Sequence, residues 1–265
     1  MAILRQHLRR EAGALAGWAV ALAALVLLQT SLYRALTSSM VAGDLSKALA
    51  GLPPQLVQFV GGSLDLFSPA GWLGAIDLSG WITLIAGIWL ALAAVSVVAS
   101  DADQGTLTFL LALPVRRGRL LLERSLSLLV QLALLYLAVY LTALLALALI
   151  GEHVNALRFA AALGLLALGQ AALAGTLVLV SLFFRDQTYA MLATVTAAAV
   201  FIFIPVFVEP GSAVGFVRHL TPFDYQAAGR LMLQGTVPWG QWLLAAVWAV
   251  VAFGAAWAVF SRQEV

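Results

Sequence analysis

Charged side chains make up only 10% of this 265-residue chain, and they cluster between long apolar runs instead of inside them. A soluble domain carries about 25%. Hydrocarbon accepts a backbone only as helices or closed barrels, and apolar runs of about 20 residues read as crossing helices. Six such runs can be laid out, at about 12–32, 80–99, 125–150, 157–183, 188–208 and 241–260. The expected fold class is an all-α polytopic membrane protein with six transmembrane helices. Residues 1–265 then form a single transmembrane domain, since no segment between runs could build a soluble one.

The segments between the runs carry their own signals. Met1–Glu11 can set Ile3, Leu4 and Leu8 against Arg5, Arg9 and Arg10, which predicts an N-terminal interfacial helix. The run after it is longer than the apolar part of a signal peptide, so it reads as an uncleaved first span. Tyr33–Ser79 holds Pro53-Pro54, Gly61-Gly62 and short amphipathic stretches. Two or three short external helices are expected there, with Phe67, Trp72 and Leu73 at the interface. Thr221-Pro222-Phe223-Asp224 places a cap, a first-turn proline and an acid in helix-start order. It predicts a short external helix from Pro222 to about Leu233, before span six. A second is placed over Gly211–Leu220. Phe216, Leu220, Phe223, Leu231 and Met232 are expected to be partly buried in the outer leaflet.

Basic residues set orientation. With the N-terminus inside, nine of the fourteen fall inside: Arg5, Arg9, Arg10, Arg116, Arg117, Arg119, Arg124, Arg185 and Arg262. Arg34, Lys47, Arg158, Arg218 and Arg230 fall outside. The reading is a multi-pass cell-membrane protein with both termini cytoplasmic.

Several chemistries find no residues. There is no cysteine, so no disulfide and no thiolate. A charge at mid-span would mark an ion or proton path, and the six runs hold none there. Gln29, Gln131, Gln170, Tyr136, Tyr140, Thr142 and Thr194 are the mid-span polar groups, better suited to bonds between helices than to a ligand. His7, His153 and His219 lack metal spacing. No phosphate-binding loop exists, and the only lysine, Lys47, lies outside. No catalytic, metal or cofactor residue is expected in this chain, and a net charge of +2 implies no nucleic acid. Active transport would need energy from another polypeptide.

Ser100–Arg124 is the exception among the loops, with seven of the 26 charged side chains. Ser100 and Asp103 make a capping pattern, with Asp101 beside them. Leu107, Leu110 and Leu111 follow at helical spacing with Phe109 adjacent, and Pro114 stops the helix. Arg116, Arg117 and Arg119 come next. The plain reading is a basic loop that sets topology. The other is a cytoplasmic docking helix whose leucines enter a partner.

The word order of this segment resembles the cytoplasmic loop of ABC-2 type exporter permeases, E-x-E-x-G-T-L…L-L-x-x-P-x-x-R followed by a basic residue. Gly105, Thr106, Leu107, Pro114, Arg117 and Arg124 match, and Asp101 and Asp103 stand where glutamates are usual. The resemblance implies a coupling helix between spans two and three, contacting two ATP-binding-cassette subunits that carry ATP and magnesium. It also implies a second permease chain, taken as a homodimer, with spans two and five lining the route. Phe201, Phe203 and Pro205 of span five are then candidates for a hydrophobic route, although packing against lipid or helices accounts for them as well. An apolar route suits a hydrophobic or amphipathic cargo. The alternatives are an ATPase-bound subunit that signals or inserts cargo, and a lone membrane carrier or enzyme.

Overall fold

The computed structural model describes residues 2–36, 68–74, 80–103, 117–208, 221, 223, 228, 231–232 and 234–262. The described residues form helices and connections, with no strand among them. In chain order the helices are α1 (Ala2–Leu36), α2 (Pro69–Trp72), α3 (Ile82–Val97), α4 (Ala99–Asp103), α5 (Arg117–Ile150), α6 (Ala156–Ser181), α7 (Gln187–Phe207) and α8 (Trp239–Arg262). Five of them, α1, α5, α6, α7 and α8, are long and apolar enough to cross a membrane, and α3 is a shorter apolar helix.

Helix α6 is the hub. It packs against α3, α5, α7 and α8, while α1 lies along α5 at the edge. Leu90 of α3, Leu135 of α5, Leu173 and Leu177 of α6, Ile202 of α7 and Phe260 of α8 share one buried core. Lipid is as apolar as leucine, so helices associate in it through close packing of small residues. Gly175 of α6 shows this: a Cβ there would stand 2.9 Å from Ala252 Cβ and 3.1 Å from the Phe253 nitrogen of α8. Gly87 of α3 likewise leaves room for the Ile202 side chain.

Local sequence ends most of these helices where their polar residues fall. Gly151 takes a left-handed φ of 79° after α5. Its N–H donates to Ala148, and the Glu152 N–H reaches back to Leu147 at 3.0 Å, which satisfies the last carbonyls of α5. Asn155 caps α6 by accepting from the Arg158 N–H. Asp186 caps α7 by accepting from the N–H groups of Thr188 and Tyr189.

The N-terminal segment differs from its sequence reading. No separate interfacial helix precedes the first span. Helix α1 runs unbroken for 35 residues, because glycines at 13 and 17 weaken a helix without stopping it and no proline intervenes. At 1.5 Å per residue it is ~52 Å long, against a hydrocarbon core of ~30 Å. Trp72 and Leu73 also differ. They are buried inside the protein and do not face outward. The Trp72 ring lies 5.6 Å from that of Tyr33 on α1, an aromatic pair that removes both from lipid. Phe223, Leu231 and Met232 are likewise buried in the protein core. The helical residues there end at Gln234, and Gly235 follows at φ 70° with its N–H on the Leu231 carbonyl. Phe216, Leu220 and the stretch Gly211–Leu220 lie outside the described residues, as does Phe67.

Candidate functional site

The apolar helix α3 ends at Val97, and Val98 breaks it at φ −142°, ψ −49°. The chain turns at that one residue and resumes as α4. Ser100 is therefore inside α4 and buried, where the capping pattern had it before the first turn. A helix end leaves carbonyls without partners. At α3 the Arg124 guanidinium, from the second turn of α5, supplies the donor: Nη1 meets the Val97 oxygen at 2.6 Å. A cation at a helix C-terminus also complements the helix dipole. Arg124 is buried for this purpose.

The same end of the bundle holds a second polar tie. His7 of α1 is buried, and its Nδ1 lies 3.4 Å from the Ser127 hydroxyl of α5. The Gln131 amide donates to that hydroxyl at 3.3 Å. Charged and polar groups thus fasten α1, α3 and α5 beside the point where α4 emerges.

Helix α4 also touches α7. Val95 and Ala99 form a small buried cluster with Ala190, one turn into α7. A displacement of α4 would therefore load the end of α3 and the start of α7 together.

The residues singled out in the sequence divide as follows. Asp101 and Asp103 lie in α4, and Asp103 is exposed. Arg117 begins α5. Gly105, Thr106, Leu107, Phe109, Leu110, Leu111, Pro114 and Arg116 lie outside the described residues. On α7 the three route candidates separate. Phe201 packs edge-on against Trp248 of α8 at 6.0 Å, and the Trp248 indole donates to Thr176 of α6. Pro205 is buried. Phe203 lies with Tyr189, Leu192, Val200 and Phe207 on a stripe at helical spacing, and its ring is 6.0 Å from that of Phe207. The stripe is open: Tyr189 is 63% exposed, Leu192 60% and Phe207 65%. Sequence reading missed this stripe, since periodicity cannot say which face of a uniformly apolar helix is left uncovered.

Three of the mid-span polar groups, Gln170, Thr194 and Tyr140, bond between helices, whereas Gln131 bonds Ser127 of its own helix. The Gln170 amide donates to the Thr83 carbonyl at 2.9 Å, and the Thr194 hydroxyl to the Ala91 carbonyl at 3.1 Å. Tyr140 reaches the Ala156 carbonyl at 3.3 Å. Among the described residues no group of His, Asp and Glu could hold a metal ion.

Apolar helices of spanning length, tied to each other by buried amide and hydroxyl bonds, define a multi-pass α-helical membrane protein. Within that class, residues 17–265 match the model for ABC-2 family transporter proteins, and the chain belongs to that family. It is an ABC-2 type permease, a membrane subunit, and membership of this family implies partnership with an ATP-binding-cassette ATPase subunit. No curated protein matches the chain.

Proposed function

We propose that the chain is the permease of an exporter that moves a hydrophobic or amphipathic substrate, driven by ATP and magnesium held on two ATPase subunits. Residues 100–113 are its coupling element. Leu107, Phe109, Leu110 and Leu111 enter the ATPase, Gly105 allows close approach because it has no Cβ, Thr106 lies beside it in the motif, and Pro114 ends the segment. Asp101, Asp103, Arg116 and Arg117 form a charged rim. The observation that carries this reading is the placement of α4, joined to α3 across Val98 and packed on α7 through Ala190. Those are the two helices that would line a route, so a push on the loop acts on both.

Six spans are proposed, with α3 as the short second one and both termini on the cytoplasmic side of the cell membrane. The permease works as a homodimer, and the open stripe of α7 with Phe203 faces the second copy and the route. Phe201 supports that wall from behind, against α8 and the core, and Pro205 is buried one turn further on.

The test is co-purification of the chain with a candidate ATPase, followed by transport of a fluorescent lipid analogue in proteoliposomes. ATP-dependent movement away from the ATPase face supports the exporter. A stable ATPase complex that hydrolyses ATP without moving any lipid-like cargo would assign the chain to signalling or cargo insertion. Activity undiminished without an ATPase would make it a lone carrier.

A further inference from the structure

Helices α5, α6 and α8 enclose an open apolar groove of about 500 Å³. Its walls are Leu122, Leu126 and Leu129 on α5, and Ala249, Phe253 and Trp257 on α8. This is the size range of small-molecule sites. Leu129 lies eight positions beyond Leu121 on α5, ~12 Å of axis, so the groove is a slot and not a dimple.

One feature does not belong in a surface meant only for bulk hydrocarbon. Ser125 lines the groove, is only 7% exposed, and its hydroxyl has no hydrogen-bond partner. A buried hydroxyl without a partner is costly and calls for an acceptor. Arg119 lies three residues before Leu122 and seven before Leu126, on the same face of α5. It is about 9 Å below Ser125 along the axis. Its side chain is 66% exposed, and its Nε donates to Glu123 at 2.9 Å. Arg119 does not line the groove itself, but helix spacing puts it one turn before Leu122, at that end of the groove, and no described residue bonds its terminal nitrogens. Arg262 ends α8 five residues beyond Trp257 and is exposed as well. At Gly118 the missing side chain lets the Trp257 indole close over the first turn of α5, so the mouth has an aromatic wall.

We propose that this groove binds one anionic phospholipid. An acyl chain fills the slot between α5 and α8. An ester oxygen accepts from Ser125, and the phosphate meets Arg119 at the mouth with Arg262 nearby. Basic groups at the end of an intramembrane groove favour anionic headgroups, and arginine can extend along apolar surface to place its charge at headgroup level. The site goes beyond the transport reading and stands or falls separately from it.

Fluorescence decides it. The full chain is placed in phosphatidylcholine nanodiscs containing a minor fraction of phosphatidylglycerol, with acyl-chain bromines on one lipid or the other in matched amounts. The signal read is the quenching that disappears in Trp257→Phe. Brominated phosphatidylglycerol should quench this component several-fold more than brominated phosphatidylcholine. Arg119→Gln should bring the two to the same level, and Ala249→Phe, which fills the slot, should remove quenching by both. If Ala249→Phe does not fold, Arg119→Gln still decides, because Arg119 is exposed. Equal quenching by both lipids in the native chain would mean plain bulk contact and overturn the site. No quenching by either would mean that another chain or segment covers the groove, and would overturn it too. Headgroup selection that survives Arg119→Gln unchanged would equally contradict it. A chain that passes this test yet transports nothing would lose the exporter role and keep the lipid site.

Discussion

Arg124 donates to the Val97 carbonyl at 2.6 Å across 27 residues of sequence. This bond joins the foot of α5 to the end of α3 where α4 turns away. A hydrogen bond to a charged group contributes about 1.5–3 kcal/mol, and an acceptor left buried and unpaired costs a similar amount. Arg124→Gln should therefore lower stability by about 1–3 kcal/mol, read as earlier thermal unfolding in detergent. It should also weaken the coupling of ATP hydrolysis to transport. Unchanged unfolding would mean the bond contributes nothing.

Glycine positions differ sharply in what they tolerate. Gly175 has Ala252 and Phe253 of α8 within contact of any added methyl, whereas Gly13 of α1 has nothing within 4 Å. Gly175→Leu should separate α6 from α8 and destabilise by about 1–3 kcal/mol or more. Gly13→Ala should stabilise α1 by about 0.5–1 kcal/mol. Both are measured by unfolding in mild detergent, and the same sign for the two would contradict the packing described.

The open stripe on α7 predicts a contact between copies. Leu192→Cys and Val200→Cys should give disulfide-linked dimers in membranes under mild oxidation, and Ala198→Cys, buried in the core, should not. The native chain has no cysteine to confuse the result. Crosslinking at Ala198 alone, or at none of the three, would place the partner elsewhere.

Topology can be tested at two exposed turns. His153 lies between α5 and α6, and Arg185 between α6 and α7. A membrane-impermeant thiol reagent added outside intact cells should label His153→Cys and spare Arg185→Cys. The reverse pattern would invert the orientation.

Much of this fold is visible in the sequence because hydrocarbon is an unforgiving solvent. Long apolar runs placed α5, α6, α7 and α8 nearly where they lie, with α5 starting earlier, at Arg117, and carrying the basic residues inside its first turns. What periodicity could not reveal is partnership. Gln170 and Thr194 looked suited to bonds between helices, but only the packing of α6 and α7 on α3 supplies the Thr83 and Ala91 carbonyls. Trp72 looked interfacial because tryptophan often is, and the ring of Tyr33 took it inside. The break falls at Val98, two residues before the capping pattern at Ser100 places it, and valine itself neither stops nor caps a helix. Arg124 matches the loop pattern as the basic residue of the next helix, but the sequence does not show its acceptor, the Val97 carbonyl 27 positions away.

The coupling segment is where the functional account is most exposed to test. Leu107→Asp and Leu110→Asp, made separately, each place a charge where an apolar side chain would be buried against the ATPase, and full burial of such a side chain is worth about 1.5–3 kcal/mol. The measurement is the amount of ATPase retained when the detergent-extracted permease is purified. Insertion and extraction should be normal while the ATPase is lost from both variants and transport with it. Asp103→Asn, at an exposed rim position, should retain the ATPase, because exposed charge pairs contribute less than about 1 kcal/mol. Full retention of the ATPase by both leucine variants would show that this loop only orients the chain in the membrane.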